Sequence, residues 1–475
     1  MKLTGKRIVA TCICVAMMIS SFATTALATN GEETKLTKAE YFSNQTVERN
    51  FANSDEVTSA SKWITVKGIS GGKIAFDASK GAITSCQDTV TTVTIPSKIN
   101  GVTVKTIGED AFKLCIKIKK ISIPSTITSI GDDAFMWCDE LENITVAKSN
   151  SKFSSIDGVL FNKDKSTLIK YPANKAGKTY SIPTSVKTLG KVSFGSCEYL
   201  TDIKIPNSVK TIEDKAIHQC EKITEITIPE SVTAIGYSPF QVCTSLKNIV
   251  VDENNTKFCS EDGVLFDYNK TKLIQYPLDK ADEVYTVPYT VEILGVCSFA
   301  SSQNLKKVIV GDSVKELLSE VFTMCINLEE VTLGNSVETI GRYAFALCSK
   351  LTKVKIPNSV TKIEKDSFTA SVNIELEIDH RNRYATDFAL ENHIHYYLVI
   401  IKESSYGDVN LDGKVSINDT VEMMMYLAKK EEFTEEQLKN ADVTAYGVNI
   451  QDVIVTQTYI AKIINKFPIE DFYID

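Results

Sequence analysis

Beyond residue 28 the 475-residue chain contains no apolar run approaching the length that crosses a bilayer. It has no block of basic residues and a net charge of -8. Nucleic acids and anionic membranes, which want a basic patch, are therefore excluded as partners. Gly and Pro are modest at 22 and 11 residues, which excludes a disordered chain. Catalytic signatures are missing as well. There is no Gly-x-Ser-x-Gly and no His-Glu-x-x-His, and Gly177-Lys178-Thr179 lacks the leading glycine of a phosphate loop. What remains is ordinary globular composition, 43% hydrophobic and 24% charged, in a chain too long for one core. Several domains or a repeat array are expected.

The cationic start Met1-Lys-Leu-Thr-Gly-Lys-Arg7 is followed by an apolar run from Ile8 to Phe22 and a small-x-small site at Ala26-Leu27-Ala28. Residues 1–28 read as a secretory signal peptide, so the protein is expected to be exported. No charged tail of the kind that follows a wall-anchoring segment is seen, and surface attachment is expected to be non-covalent. Residues 29–61 are polar and without periodicity and are expected to be flexible. Twelve cysteines in a secreted chain would suggest disulfides, but Cys12 and Cys14 leave with the signal and the rest follow a pattern.

Cys115, Cys138, Cys197, Cys220, Cys243, Cys325 and Cys348 lie 23 residues apart, or 59 where something is inserted, once the slot at Ser302 between Cys243 and Cys325 is counted. Ser302 and Ser371 fill the same slot, giving nine units. Three residues before each slot stands Phe112, Phe135, Phe194, Ile217, Phe240, Phe299, Phe322, Phe345 or Phe368. Six residues after most slots comes an alternating pair such as Ile121/Ile123, Ile203/Ile205, Ile226/Ile228 or Val354/Ile356, often closed by proline at Pro124, Pro206, Pro229 and Pro357. A second apolar run follows, as in Ser231-Val-Thr-Ala-Ile-Gly236. Such short alternation cannot bury a face alone, whereas stacked copies can, so the pattern predicts a solenoid. Each unit is expected to give one short strand and a turn of helix around Ala-Phe-x-x-Cys, with the cysteines as buried free thiols. Parallel Cβ vectors on adjacent rungs disfavour disulfides.

The two 59-residue gaps are copies of one another. Asn150-Ser-Lys-Phe-Ser-Ser-Ile-Asp-Gly-Val-Leu-Phe161 matches Asn255-Thr-Lys-Phe-Cys-Ser-Glu-Asp-Gly-Val-Leu-Phe266 at an offset of 105, and Leu168-Ile-Lys-Tyr-Pro172 matches Leu273-Ile-Gln-Tyr-Pro277. Each insert reads as a β-hairpin projecting from the array around Asn162–Lys165 or Asp267–Lys270. The unit Ile-Pro-x-Ser-Val-x-x-Ile-Gly-x-x-Ala-Phe-x-x-Cys-x-x-Leu resembles the BspA-like (Treponema-type) leucine-rich repeat family. The resemblance covers roughly residues 63–400, with Trp63–Gly101 as a strand cap and Ala385–Ile400 as a helix-and-strand cap. It implies a secreted or surface binding protein whose ligand varies across the family. The outward strand positions Ser122, Thr145, Lys204, Thr227, Thr332 and Lys355 are small or basic, without an aromatic row, which leans toward a protein ligand or none.

Near the C-terminus, Asp408-Val-Asn-Leu-Asp-Gly-Lys-Val-Ser-Ile-Asn-Asp419 spaces oxygens as a calcium loop does. Calcium takes six to eight oxygens, supplied in such loops from positions 1, 3, 5, 7, 9 and 12 with Gly at 6. Those positions are Asp408, Asn410, Asp412, Lys414 through its carbonyl, Ser416 and Asp419, with Gly413 at the turn; Asp419 is shorter than the usual Glu. A second stretch, Asp442-Val-Thr-Ala-Tyr-Gly-Val-Asn-Ile-Gln-Asp452, is the same loop with position 7 absent and Thr444 and Tyr446 in place of Asn410 and Asp412. Its downstream residues match the first copy without a gap from Val415/Val448 to Lys429/Lys462. A helix is expected from Asn418 to Lys430, burying Met423, Val421 and Leu427, and neither loop is preceded by an entering helix of its own with apolar periodicity, as the Tyr406-Gly407 approach shows.

Two loop-then-helix units resemble a type I dockerin over Ser405 to about Pro468, the module that plugs cellulosome subunits into cohesin domains of a scaffoldin. That resemblance implies Ca2+ ligands at the residues above plus a weaker second set, Asp442, Thr444, Asn449 and Asp452. It also implies cohesin contacts at Ile417, Asn418, Met424, Met425 and Lys429, mirrored by Ile450, Gln451, Gln457, Thr458 and Lys462. The chain is thus expected to be an α/β leucine-rich-repeat solenoid with β-hairpin inserts at 62–401 and a small all-α paired F-hand module at 402–475, joined by only Lys402–Ser405. Its expected role is that of a non-catalytic, extracellular cellulosome component whose array binds a protein or cell-wall ligand. The alternatives are an accessory to a dockerin-borne polysaccharide-degrading enzyme and an adhesin or inhibitor acting through the array. A glycosidase needs two carboxylates flanking a cleft, and the repeats leave no room for such a domain. His393-x-His395 is expected to place two imidazoles on one face of the cap strand, as packing rather than as a metal pair.

Overall fold

The computed structural model describes residues 61–371, 373–399, 409, 417–429, 432–441, 448, 453, 454, 456 and 457. The signal peptide, all of the 29–61 segment except Ser61, and the Lys402–Ser405 boundary lie outside the described residues. The chain divides into two compact units, the first ending at Asn269 with Ile274–Lys280 added, the second formed by Lys270–Leu273 and the residues from Ala281 onward.

Both units contain coils of the same build, and each coil differs from expectation in one respect: it carries two short strands and no helical turn among the described residues. The first strand holds the alternating pair, as in Glu225–Ile228 and Lys353–Ile356. The second is a two-residue strand, as in Thr211–Ile212 and Thr339–Ile340. Each pairs in parallel with its counterpart in the next coil, for example Ile121 with Ile144, Val331 with Val354, and Leu317 with Ile340. Ile226 and Ile228 are buried while Glu225 and Thr227 are exposed, so every first strand is half core and half surface.

Where a turn of helix was expected, two residues per coil are left-handed. They are Asp110 and Leu114 in one coil and Glu320 and Met324 in another, with φ of 58°, 61°, 62° and 61°. The same two positions are left-handed in all nine coils. A non-glycine residue in this region costs about 1–2 kcal/mol and ends any α-helix. The stack supplies the compensation. Glu320, Phe322 and Met324 donate their N–H groups to the carbonyls of Arg342, Ala344 and Ala346 in the next coil at 2.9, 2.7 and 2.9 Å. Right-handed helical geometry would turn these alternate N–H groups back on their own coil.

The cysteine slot serves this ladder. Cys138, Cys325 and Cys348 donate their thiols to the carbonyls of Phe112, Phe299 and Phe322, 26 residues earlier, each at 3.1 Å. Ser371 places its hydroxyl on Phe345 in the same way at 2.6 Å, whereas Ser302 donates to Phe299 of its own coil at 2.6 Å. The described cysteines are all unpaired in disulfide terms, and all but Cys259 are buried. Burial pushes the Cys325 thiol up to about 12. The phenylalanines stack beside them, with Phe299–Phe322, Phe322–Phe345 and Phe345–Phe368 centroids 5.1, 5.4 and 5.1 Å apart. Tyr171, 23 residues before Phe194 and so in the same register, continues this ladder onto it at 5.4 Å.

The first insert contains the expected hairpin, Val159–Asn162 with Thr167–Lys170, but it does not project. A third strand, Phe153–Ile156, precedes it, and Thr167–Lys170 joins the two-residue strand stack in parallel at Thr188–Leu189. Val159, Leu160 and Phe161 are all fully buried because both faces of the strand are covered. Leu160 belongs to the core before the insert, Val159 and Phe161 to the core after it. The second insert repeats the arrangement with Phe258–Glu261 against Val264–Asp267.

One buried asparagine closes the coil at each insert. Asn150 donates through Nδ2 to the carbonyls of Pro124 and Ile127 and accepts from the N–H groups of Lys152 and Phe153. Asn255 repeats all four bonds with Pro229, Val232, Lys257 and Phe258 at 2.8–3.1 Å. Asn382 uses the same device on Pro357 and Val360, and its Oδ1 caps helix α1 (Arg383–Glu391) at Ala385. At the N-terminal end, Ser61–Ile64, Ile74–Asp77 and Ala82–Cys86 form an antiparallel meander that hands over to the parallel stack at Thr106–Ile107. The strand His395–Val399 is the edge strand of the first-strand sheet in the second unit. His393 sits in the turn before it with φ 54°, so the two histidines do not share a strand face as expected. Replacing Asn255 with alanine leaves two buried carbonyls and two N–H groups without partners, each worth about 1–3 kcal/mol. Asn255→Ala should therefore lower stability by several kcal/mol in denaturant titration, and a loss below about 1 kcal/mol would overturn the clamp.

Candidate functional site

The C-terminal module is built around helix α2 (Ile417–Leu427) and helix α3 (Glu435–Ala441). Met423 is fully buried with Val409, Ala441 and Val453, against which Leu427, Phe433 and Val448 pack. Of the first calcium loop, Asp408, Asn410, Asp412, Lys414 and Ser416 lie outside the described residues. Its last ligand position, Asp419, is described and fully buried in the first turn of α2. Its Oδ1 accepts the N–H of Val409 at 2.8 Å, so the two ends of the loop are tied together. The carbonyl of Val409 in turn accepts from Gln437 Nε2 at 3.2 Å.

A carboxylate removed from water needs compensating charge or hydrogen bonds. The helix N-terminus and the Val409 amide supply part of this. In sequence the segment between Asp408 and Asp419 offers oxygens of the hard type that calcium takes, and of its ligand positions only Asp419 is among the described residues. The second ligand set, Asp442, Thr444, Asn449 and Asp452, lies outside the described residues.

A short helix does precede the second loop, without the apolar periodicity by which the sequence would have announced it. Helix α3 ends at Ala441, directly before Asp442, and it starts with a reciprocal cap. Thr434 Oγ1 accepts the Gln437 N–H at 3.3 Å while Gln437 Oε1 accepts the Thr434 N–H at 3.1 Å. The Thr-x-x-Gln spacing carried that signal in the sequence.

Helix α2 also departs from expectation at Val421, which is not buried. Ile417, Val421, Met424 and Met425 are 57%, 54%, 50% and 39% exposed and lie at i, i+4, i+7 and i+8, one side of the helix. Asn418 and Lys429 are exposed beside them, and Lys429 follows the helix in a left-handed turn with φ 55°. In the second copy Val453 and Thr456 are buried where Thr420 and Met423 are, and Gln457 is exposed where Met424 is. The offset of 33 residues between copies therefore holds for burial as well as identity. Ile450, Gln451, Thr458 and Lys462 lie outside the described residues.

The array offers its first-strand face. In the second unit the outward positions Val284, Lys307, Glu330, Lys353, Glu375 and His395 are neighbours in register. Lysine alternates with glutamate along this row, and Lys307 and Glu330 pair at 2.9 Å. Lys353 reaches Glu377, to which the Tyr397 hydroxyl donates at 2.6 Å. Burial opposes ionisation of Glu377, but Lys353 and Tyr397 together hold its carboxyl below the usual range. In the first unit the outward positions carry hydroxyls as well as charges: Thr145 Oγ1 donates to Ser122 Oγ at 3.0 Å, and Lys204 pairs with Asp202 at 2.9 Å. The expected outward residues are on this face, and the acidic partners that neutralise its lysines are the part that the sequence reading missed.

One buried ionisable cluster lies in the first unit. Lys170, brought in by the insert, donates to the carbonyls of Val192 and Gly195 at 3.3 and 3.2 Å. Gly195 leaves it room, since a Cβ there would stand 3.0 Å from the amine. In the adjacent coil His218 is buried with neither ring nitrogen bonded. Burial, reinforced by Lys215 and Lys170, holds its pKa at about 3. Beside it Gln219 Oε1 accepts from Trp137 Nε1 at 3.1 Å and Ser196 Oγ at 3.2 Å.

A stack of 23-residue coils with two parallel strands each defines a leucine-rich-repeat class of solenoid. The chain belongs to the BspA type leucine-rich repeat family, whose description, in six copies, it matches over residues 79–176, 171–277 and 282–394. Residues 406–462 match the type I dockerin domain. Both are non-catalytic modules, and no helix among the described residues is long and apolar enough to cross a membrane. No curated protein matches the chain. Among solved structures it is similar to a leucine rich cell surface protein from Faecalibacterium prausnitzii A2-165, at 24% identity over 67% of this chain and 94% of that one, with a TM-score of 0.43. It is also similar to the pneumococcal vaccine antigen PcpA (22%, covering 72% and 96%, TM-score 0.43). A third is a leucine-rich repeat protein from Eubacterium ventriosum (23%, 66% and 95%, TM-score 0.31).

A histidine whose folded pKa lies below its unfolded value of about 6.5 contributes stability that is complete above that value and is lost as pH falls. Between about pH 6.5 and 4, His218 should therefore cost the fold up to about 1.4 kcal/mol per pH unit. His218→Gln, which copies the neighbouring coil's Gln241, should flatten the slope of stability against pH over that window. Equal slopes in the two proteins would overturn this assignment.

Proposed function

We propose that the chain is a secreted, non-catalytic cellulosome component, held through its C-terminal module in a cohesin domain of a scaffoldin while its array presents a binding surface to a protein or cell-wall ligand. The observation that supports this most directly is the exposed apolar side of α2, Ile417, Val421, Met424 and Met425, beginning two residues before the buried loop carboxylate Asp419. Four apolar side chains along one exposed helix face form a surface that a partner covers. By the 33-residue offset in sequence, Ile450, Gln451, Gln457, Thr458 and Lys462 would serve as the counterparts of these positions in the second copy.

Calcium, when bound, supplies the positive charge that lets the loop carboxylates converge. Asp408, Asn410, Asp412, the Lys414 carbonyl, Ser416 and Asp419 would hold it. Asp419 ties this loop to α2, so ordering the loop fixes the start of the docking helix. The array's face is charge-balanced in its second unit and hydroxyl-rich in its first. A partner there is selected by hydrogen bonding and shape more than by net charge.

The full mature chain should bind at least one member of a panel of type I cohesins with calcium present and lose that binding in a chelator. Met424→Asp should weaken it at least about 100-fold, roughly 3 kcal/mol. Failure to bind any cohesin would sink the docking reading, and release of sugars from wall polysaccharides by the array would sink the non-catalytic one.

Calcium titration of the same chain should resolve one tight site and one weaker. The second loop replaces Asn410 and Asp412 with Thr444 and Tyr446 and lacks position 7, so it has fewer oxygens to give. Two equally tight sites would overturn that ranking.

A further inference from the structure

The cleaved chain holds five methionines, and their surroundings differ sharply. Met423 is fully buried in the C-terminal core, Met136 is buried beside Trp137 and Val192, and Met324 is half-buried in its coil. Met424 and Met425 stand in the open on the proposed docking helix, at i+3 and i+4 from the equally exposed Val421. The two thioethers thus flank one apolar residue from adjacent helical directions. The matching residues of the second copy, Gln457 and Thr458, carry no sulfur.

We infer that Met424 and Met425 form an oxidation-sensitive pair through which a peroxide weakens docking. The inference rests on the docking reading above. The thioether sulfur attacks one oxygen of the peroxide, an S–O bond forms and the O–O bond breaks. Sulfur loses two electrons, and the other peroxide oxygen leaves as water or an alcohol. Each product is a methionine sulfoxide, a polar and chiral group on what was an apolar surface. Covering it with a partner buries an acceptor oxygen that the apolar contact cannot satisfy. The module's own core is spared, because the sulfur that supports it, Met423, is out of reach of solvent. A docked partner should also shield the pair.

The test treats the full mature chain with millimolar hydrogen peroxide, maps added oxygen by peptide mass, and measures binding to a cohesin selected by the panel. Oxygen is expected on Met424 and Met425 before Met423, Met136 and Met324, with binding weakened tenfold or more. Reduction of both sulfoxide epimers should restore affinity. The variant Met424→Leu/Met425→Leu, whatever its own affinity, should show no change of that affinity on peroxide treatment, and the cohesin complex should resist oxidation. Binding unchanged in a chain that carries both sulfoxides would overturn the switch while leaving the docking reading intact. So would oxygen appearing first on Met423, or a peroxide-dependent loss of affinity in the leucine variant as large as in the native chain. Failure of the untreated chain to bind any cohesin would overturn the docking reading and the switch with it.

Discussion

The array depends on hydrogen bonds that run along its axis at the turns. Each coil forces two non-glycine residues into the left-handed region, a local cost with no local compensation, and the compensation comes from the next coil. Phe322 N–H reaches Ala344 and Met324 N–H reaches Ala346, and the Cys348 thiol then returns to the Phe322 carbonyl. No single coil can hold this conformation, because half of its hydrogen-bonding partners belong to its neighbours. The 23-residue period follows from that, since any change in coil length would shift every donor off its acceptor.

This constraint also explains the inserts. A segment that projected as a free hairpin would leave the flanking coils without partners, so the insert is threaded through the stack. Its middle strand buries Leu160 toward one core and Val159 and Phe161 toward the next, and Tyr171 resumes the aromatic ladder. Asn150 and Asn255 absorb the change of direction, each satisfying two carbonyls and two N–H groups. The duplication at an offset of 105 residues carried the clamp along with the strands it serves.

The legible part of the fold was whatever repeats as residue identity. Period 23 located the coils, alternation located the first strand, and the serine substitutions marked the cysteine slot as a position in a register. The left-handed turns were not legible, because residues as different as Asp110, Val192, Cys297 and Tyr343 occupy them. Their conformation is imposed by the neighbouring coil, and no side-chain preference announces it. Tyr171 escaped although it stands 23 residues before Phe194, because the residue three positions on, Asn174, is neither cysteine nor serine and so does not mark the slot. In the C-terminal module the buried Met423 was foreseen and the exposed Val421 was not. A helix whose apolar residues cover more than one face cannot tell its own core side from a partner's side. The short helix α3 was missed although Thr434 and Gln437 carry its cap, because a seven-residue segment has too little apolar periodicity to register.

Sulfur is distributed by the same division between core and partner surface. Nine of the ten described cysteines are buried, and their thiols mostly face backbone carbonyls of their own or a neighbouring coil. Burial pushes Cys325 up to about 12 and Cys348 well above its ordinary range, so the thiolate that would exchange or oxidise is scarce at any neutral pH. At these two slots the thiol is made nearly inert, and no disulfide joins the described cysteines. Thioethers need no deprotonation, and burial alone protects them. Met423 has that protection and its two neighbours on α2 do not, because a surface meant to be covered by a partner has to remain open until the partner arrives. The reactive sulfur is then concentrated on the proposed docking face, the place where a change in polarity would act on assembly without touching the fold.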